Sequence, residues 1–233
     1  VEMRAVYDAA KSAGAREVYI VEEPMAAAIG VHMPVHDPVG SMMVDIGGGT
    51  TDIAVIALSG VVRAKSIKIA GDKLTQDIIS YMRDEFKMLV GEKTAEHIKV
   101  NIGSALPDEN GEELSIKGRD LVTGLPREAV ITDVDIREAM YGSISQLVDA
   151  VREVLETTPP EVLADIMQKG MTLSGGGALI KNLPQLLEMQ LKVPVTVADD
   201  PLTAVARGCG IILEDVTRYK DVLIQDTNDI SFR

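Results

Sequence analysis

The sequence predicts an α/β fold with a mixed sheet, and three observations predict it. Short apolar segments such as Glu17–Val21, Met42–Ile46 and Val61–Gly71 alternate with segments whose apolar residues recur at helical spacing. Two strand-like segments run straight into three consecutive glycines, Gly47–Gly49 and Gly175–Gly177. The first glycine turn leads into another strand and the second into a helix, so hairpins and strand–helix units share one architecture.

The elements follow in order. In "VEMRAVYDAAKSAG", Met3, Val6, Tyr7 and Ala10 fall on one helical face and Gly14 suits the C-terminal cap. Glu17–Val21 reads as a short strand. "EEPMAAAIG" reads as strand end, turn and helix, with Pro24 at the first helical position and Gly30 at the end. The Pro-rich "VHMPVHDPVGS" reads as a connection. A hairpin over Met42–Leu58 and an extended segment from Val61 follow. Between Asp72 and Leu89 a helix is expected from Leu74, Ile78, Met82 and Phe86. Thr94–Ala105 is a shorter helix, "DENGEE" an acidic turn and "LSIKGRDL" a strand. A long helix spans Val134 to Glu156, with Thr132 and Asp133 as caps and "TPP" as its stop. "PEVLADIMQKG" is a helix ended by Gly170. "MTLSGGGALIKNLPQLLEMQ" repeats strand, glycines, helix; "VPVTVAD" is a strand, and Pro201–Val216 a small-residue helix.

Composition narrows the function. The 233 residues can bury a substantial core as one large or two small domains. Acids outnumber bases 36 to 23, a net charge of −13, which argues against a nucleic-acid partner. The single cysteine, Cys209, rules out an internal disulfide framework, and with three histidines no metal cluster stands out.

Several motifs carry chemistry. In "DIGGGTTD", Asp45 ends a buried strand and can hold a hydrated Mg²⁺ beside phosphate. Gly47, Gly48 and Gly49 let a turn present backbone N–H groups, and Thr50 and Thr51 add hydroxyls for phosphate oxygens or an attacking water. The same glycines would also serve an ordinary hairpin. In "LSGGGALIKNL", Gly175, Gly176 and Gly177 let a flat nucleoside approach the backbone at a helix start; strand–glycine–helix turns also occur without any ligand. Of the adjacent acids Glu22 and Glu23, one can face a cleft and orient water, or both can be solvated at a helix N-terminus. Glu96 and Lys99 share a helical face at i, i+3, as a surface pair or as a grip on ribose.

Together, "VEEPMAAAIG", "VDIGGGTTDIAVI", "IAGDKLTQDI", "TAEHIK", "LSGGGALIKNLPQLL" and "DPLTAVARGCG" occur in an order that resembles the actin, Hsp70 and sugar kinase superfamily, and within it the bacterial actin (MreB) family. The resemblance runs from Val1 to about Val216. It implies an actin-like ATPase fold, a ribonuclease H-like mixed sheet flanked by helices, with ATP and Mg²⁺ as cofactors. It also implies self-association into filaments on the inner face of the cytoplasmic membrane, with cell-wall elongation proteins as partners. Carried over by residue, Asp45 to Thr51 match the second phosphate loop, with Mg²⁺ held by Asp45 through water. Glu23 matches the acid that positions hydrolytic water and Thr50 its helper. Glu96 and Lys99 match ribose and adenine contacts, and Gly175 to Gly177 the adenosine loop. Ala26–Gly30 and Ala204–Gly210 match two helices that cross at a hinge.

The expected domains are 1–36 as the last part of a first lobe, 37–62 with 123–200 as the core of the second, 63–122 as an inserted small subdomain, and 201–233 as a return helix and tail. The family's first phosphate loop, an Asp-x-Gly-Thr turn, does not occur in this sequence. The expectation is therefore a fragment, incomplete at the N-terminus, with half a nucleotide clamp and no ATPase activity by itself. Two further readings stay open: a naturally short, non-catalytic filament-binding relative, and an Hsp70-like chaperone ATPase, which would need a peptide-binding domain.

Overall fold

A computed structural model describes residues 2–107 and 111–224. The central element is a five-stranded sheet of order β3-β2-β1-β7-β8: β1 Ser41–Ile46, β2 Thr51–Ala57, β3 Gly60–Ile67, β7 Met171–Ser174 and β8 Val195–Val197. β1 to β3 form antiparallel hairpins, while β1, β7 and β8 run parallel. A second, antiparallel sheet holds β4 Met88–Leu89, β5 Glu113–Asp120 and β6 Pro126–Thr132. The helices are α1 Glu2–Ser12, α2 Glu23–Gly30, α3 Gly71–Asp84, α4 Glu92–Ile102, α5 Asp133–Thr157, α6 Pro160–Lys169, α7 Leu183–Leu191 and α8 Ala204–Glu214.

β1 and β2 are buried on both faces, and their period-2 alternation sorts the core. Met42, Val44, Ile46, Ile53 and Val55 join the cluster formed with α3 to α7, whereas Met43, Ala54 and Ile56 join α2 and α8 on the other side. On that second side the small residues have a steric cause. A Cβ added at Gly30 would lie 1.9 Å from the Ala204 carbonyl oxygen, and one at Gly208 would lie 1.8 Å from that of Ala26. α2 and α8 thus cross with backbone against backbone.

The long helix α5 starts as its caps predict. Thr132 Oγ1 accepts from the Asp135 N–H, and the Asp135 carboxylate accepts from the Thr132 N–H, a reciprocal capping box.

Several expectations are corrected. Glu17–Val21 is not a ladder strand; alongside it Leu223 and Ile224 supply one isolated bridge to Val21 and one hydrogen bond, from the Ile224 N–H to the Ile20 carbonyl at 2.9 Å. The helix expected to reach Leu89 ends at Asp84, where Lys87 turns into left-handed backbone (φ 49) and releases Met88–Leu89 to pair with β5. Pro24 occupies the second helical position rather than the first. β3 stays in the large sheet to Ile67 through its pairing with β2, and β6 pairs with β5 through Thr132. Of the acidic turn, residues 108–110 lie outside the described residues, as do residues 225–233 of the tail.

Candidate functional site

The two glycine turns meet because β1 and β7 are parallel neighbours, with Asp45 registered against Ser174. Both turns therefore leave the carboxyl ends of adjacent strands, where open α/β sheets gather ligands. Gly175 has φ +79, and a Cβ there would fall 2.3 Å from the Ile46 carbonyl oxygen. A Cβ at Gly177 would fall 2.2 Å from Ile46 Cγ2, so both glycines let the second turn lie directly on the first.

In the first turn the Gly47 N–H donates to the Thr50 carbonyl at 2.9 Å, which closes the loop. The start of α3 then packs on it, as the N–H groups of Gly71 and Asp72 donate to the carbonyls of Gly47 (3.0 Å) and Gly48 (2.8 Å). The turn thus caps two of the orphan donors of α3, which has no side-chain cap. Among the described residues the N–H groups of Gly48 and Gly49 donate to no protein acceptor. Thr50 is half-buried beside them. Thr51 departs from expectation: it is fully buried and its hydroxyl donates to the Ile69 carbonyl at 2.7 Å, so that oxygen is committed to the fold.

A cleft of about 460 Å³ opens between the turns and the small subdomain. Gly47, Gly48, Gly176 and Gly177 form one wall, with Asp72, Glu96 and Lys99 beside them. The rest is apolar: Ile180 and three exposed side chains, Val100, Leu179 and Leu202. The Ala105 N–H donates to the Lys181 carbonyl (2.8 Å) and Asn182 Nδ2 to Ser104 Oγ (2.9 Å), which ties the segment after α4 to the segment after the second turn. A larger groove of about 850 Å³ along α5 contains neither glycine turn.

Lys99 is buried and its ammonium is saturated. It donates to Gly71 O (2.8 Å) and Thr75 Oγ1 (3.0 Å) and pairs with Glu96 Oε2 at 2.7 Å. Thr75 also donates to Glu96 Oε2 at 2.6 Å. An ammonium has three hydrogens, so Lys99 lines the cleft with all three already engaged and ties α4 to α3. Burial alone would push the Glu96 carboxyl up, but the bonds from Lys99 and Thr75 and the Lys99 charge outweigh it and hold Glu96 below its ordinary range. The Glu96 side chain is half exposed, with Oε1 turned to no protein donor among the described residues.

Asp45 and Glu23 lie outside this cleft. Asp45 is buried at the tip of β1 and accepts from Ser174 Oγ at 2.5 Å. Burial pushes its carboxyl up, the Ser174 bond opposes that, and the Asp52 charge adds to it. Glu23 is exposed at the start of α2 and borders a separate hollow of about 350 Å³ with Asp52 and Lys65. Partial burial and then the charges of Asp45 and Asp52 raise its pKa. Among the described residues no group of three or more His, Cys, Asp or Glu is arranged to hold a metal ion directly.

The structure thus gathers Gly47, Gly48, Glu96, Lys99, Gly176 and Gly177 around one cleft. Gly49, Thr50 and Gly175 sit in the turns behind it, and Asp45, Glu23 and Thr51 do not line it. Sequence reasoning gave no role to Gly71, Asp72, Ser174 or the apolar trio. The signal for the first pair was present, an apolar strand running into Gly-Asp at a helix start; Ser174 needed the strand register.

The family model described as MreB/Mbl protein matches residues 1–221. The cell shape-determining protein Mbl of Bacillus subtilis is 48% identical over 218 residues, 94% of this chain and 66% of the relative. The cell shape-determining protein MreB of Escherichia coli K12 is 50% identical over 219 residues, 94% of this chain and 63% of the relative. The chain therefore spans just under two thirds of the length of these relatives. Among solved structures, MreB5 of Spiroplasma citri bound to ADP superposes with a TM-score of 0.90 at 41% identity, over 95% of this chain and 67% of that one. The MamK double helical filament shares the fold, with a TM-score of 0.76 at 21% identity over 91% of this chain and 64% of that one.

Proposed function

The chain belongs to the MreB/Mbl protein family, and on that premise we propose that it is part of an actin-like, cell shape-determining ATPase whose copies assemble into filaments. The observation that carries the nucleotide reading is the convergence of both glycine turns on one cleft that also presents Glu96 and an apolar rim. The residues fit ATP. The N–H groups of Gly48 and Gly49 lack protein acceptors and can donate to phosphate oxygens. Val100, Leu179 and Leu202 give a flat base apolar contact, and Glu96 Oε1 can accept from ribose hydroxyls. The ADP bound to the 41%-identical Spiroplasma citri relative supports the same reading.

Mg²⁺ also fits. Asp45 and Glu23 both have raised pKa values to which the Asp52 charge contributes, so a hydrated dication would relieve that repulsion. Held through water on Asp45, it would supply charge neutralisation beside the phosphates. Glu23 then acts as the base. Its carboxylate accepts a hydrogen bond from water and takes the proton as the water oxygen bonds to phosphorus and ADP leaves. A raised pKa improves it for that task. Thr50 offers a second hydrogen bond to orient that water. Filament assembly, the inner membrane face as its place and wall-elongation proteins as partners are part of the same proposal.

The test is titration of the chain with a fluorescent ATP analogue, with and without Mg²⁺, followed by electron microscopy of the ATP-treated protein. Saturable, Mg²⁺-dependent binding that Gly176→Val weakens by about tenfold or more, the scale of losing a close-contact wall, supports the reading. Binding that is absent up to millimolar analogue, or unchanged in Gly176→Val, overturns it.

A further inference from the structure

The opposite, amino ends of β1 and β7 open onto a different hollow, of about 370 Å³. Three bases border it: His32 just beyond α2, Lys169 at the end of α6, and Arg207 on α8. Arg207 is anchored by Nη2, which donates to the carbonyls of Asp199 (2.6 Å) and Asp200 (3.1 Å). Its Nε is shut off from solvent and has no acceptor, alone among the buried side-chain nitrogens and oxygens of the described residues. With Nη2 committed and Nε closed to solvent, Nη1, which has no acceptor among the described residues, is the guanidinium nitrogen that can meet an anion in the hollow.

Among the described residues neither Lys169 nor Arg207 has a carboxylate within 4.0 Å, although acids outnumber bases 36 to 23 in the chain. Asp199 borders the same hollow and offsets one of its charges. The other polar groups around it include the hydroxyl residues Ser41 and Thr172, which can donate to an oxyanion, while the Thr196 hydroxyl already donates to the Met171 carbonyl at 3.4 Å. An ammonium and a guanidinium N–H bordering one hollow offer charge-assisted donors to phosphate oxygens.

We propose that this hollow binds a phosphate monoester, with its phosphate between Arg207, Lys169 and His32 and its organic part in the remaining volume. The inference does not depend on the nucleotide reading, since the two cavities share no residue.

The test is an amide NMR titration of the whole chain with glycerol 3-phosphate, inorganic phosphate and, as an ionic-strength control, chloride. Saturable shifts at His32, Gly170, Thr172 and Arg207 are expected, stronger for the monoester. Lys169→Ala, an exposed change that leaves the fold intact, should weaken binding about tenfold, the scale of one charge-assisted hydrogen bond, and His32→Ala should weaken it less. Arg207→Ala also removes the anchor of the 199–200 turn, so Lys169→Ala carries the decision. Shifts confined to the glycine turns, equal responses to chloride, or unchanged affinity in Lys169→Ala would each overturn the proposal.

Discussion

Replacing Lys99 by methionine tests the most unexpected part of the cleft. Methionine keeps the length and packing of the buried stem and deletes only the ammonium. Three contacts disappear at once: Gly71 O at 2.8 Å, Thr75 Oγ1 at 3.0 Å and Glu96 Oε2 at 2.7 Å. A hydrogen bond from a charged donor is worth about 1.5–3 kcal/mol. The Glu96 contribution is discounted heavily because that side chain is half exposed and can be rehydrated. Thr75 can still donate its one hydroxyl hydrogen, either to Glu96 Oε2 (2.6 Å) or to Gly71 O (3.0 Å), so the remaining losses are not additive. The expected cost is about 2–4 kcal/mol, set mainly by the two interior acceptors. Urea denaturation at neutral pH should show a lower midpoint with an unchanged slope. The pH dependence follows from Glu96, whose pKa is lowered in the fold. Its share of the stability is present above the ordinary carboxylate range and is lost as pH falls through the lowered folded value. The gap between the two proteins should therefore narrow in acid. A cost below about 0.5 kcal/mol, the level of an exposed ion pair, would mean that Lys99 is only a surface partner and would refute the tie between α3 and α4.

Three further outcomes are expected. Gly208→Ala drives a Cβ to 1.8 Å from the Ala26 carbonyl oxygen and forces α2 and α8 apart; overpacking of this kind costs about 3 kcal/mol or more, read as a lowered urea midpoint, whereas Gly210→Ala, with nothing within 4 Å, should be nearly neutral. Asp45→Asn should abolish Mg²⁺-dependent tightening of nucleotide binding yet raise thermal stability at neutral pH. Its carboxyl has a raised pKa in the fold, so the ionised form is a burden that grows as pH rises from the ordinary carboxylate range to the raised folded value and stays constant above it, and the gain should vanish in acid. Thr132→Ala removes one arm of the capping box of α5 and should cost about 1 kcal/mol by chemical denaturation.

What the sequence revealed follows the range of the forces involved. The α5 start was readable because Thr132 and Asp135 are three residues apart and settle it between themselves. The glycine turns were readable as turns because three glycines relieve a local steric limit. The destinations of Thr51 and Lys99 were not. Thr51 donates to Ile69, 18 residues away, and Lys99 to Gly71, 28 residues away, and no local spacing encodes either partner. The pairing of β5 with β6 was missed for the same reason: β6 is exposed along most of its length, so its side chains carry little apolar alternation, and its ladder to β5 is made by the backbone.

The Lys99 tie bears on how the cleft would work. Its ammonium holds Gly71 O while the Gly71 N–H holds Gly47 O, so α4, the start of α3 and the first glycine turn form one hydrogen-bonded chain. Glu96 is the exposed end of that chain and the glycine turn is the other. A ribose engaged by Glu96 and a phosphate engaged by the turn would therefore be read by a single rigid body, and loosening Lys99 should weaken both contacts together. Lys99→Met should accordingly reduce affinity for ATP and for adenosine alike, although adenosine has no phosphate to lose. If adenosine binding were spared while ATP binding fell, the ribose and phosphate ends would be positioned independently, and the tie would be a matter of stability alone.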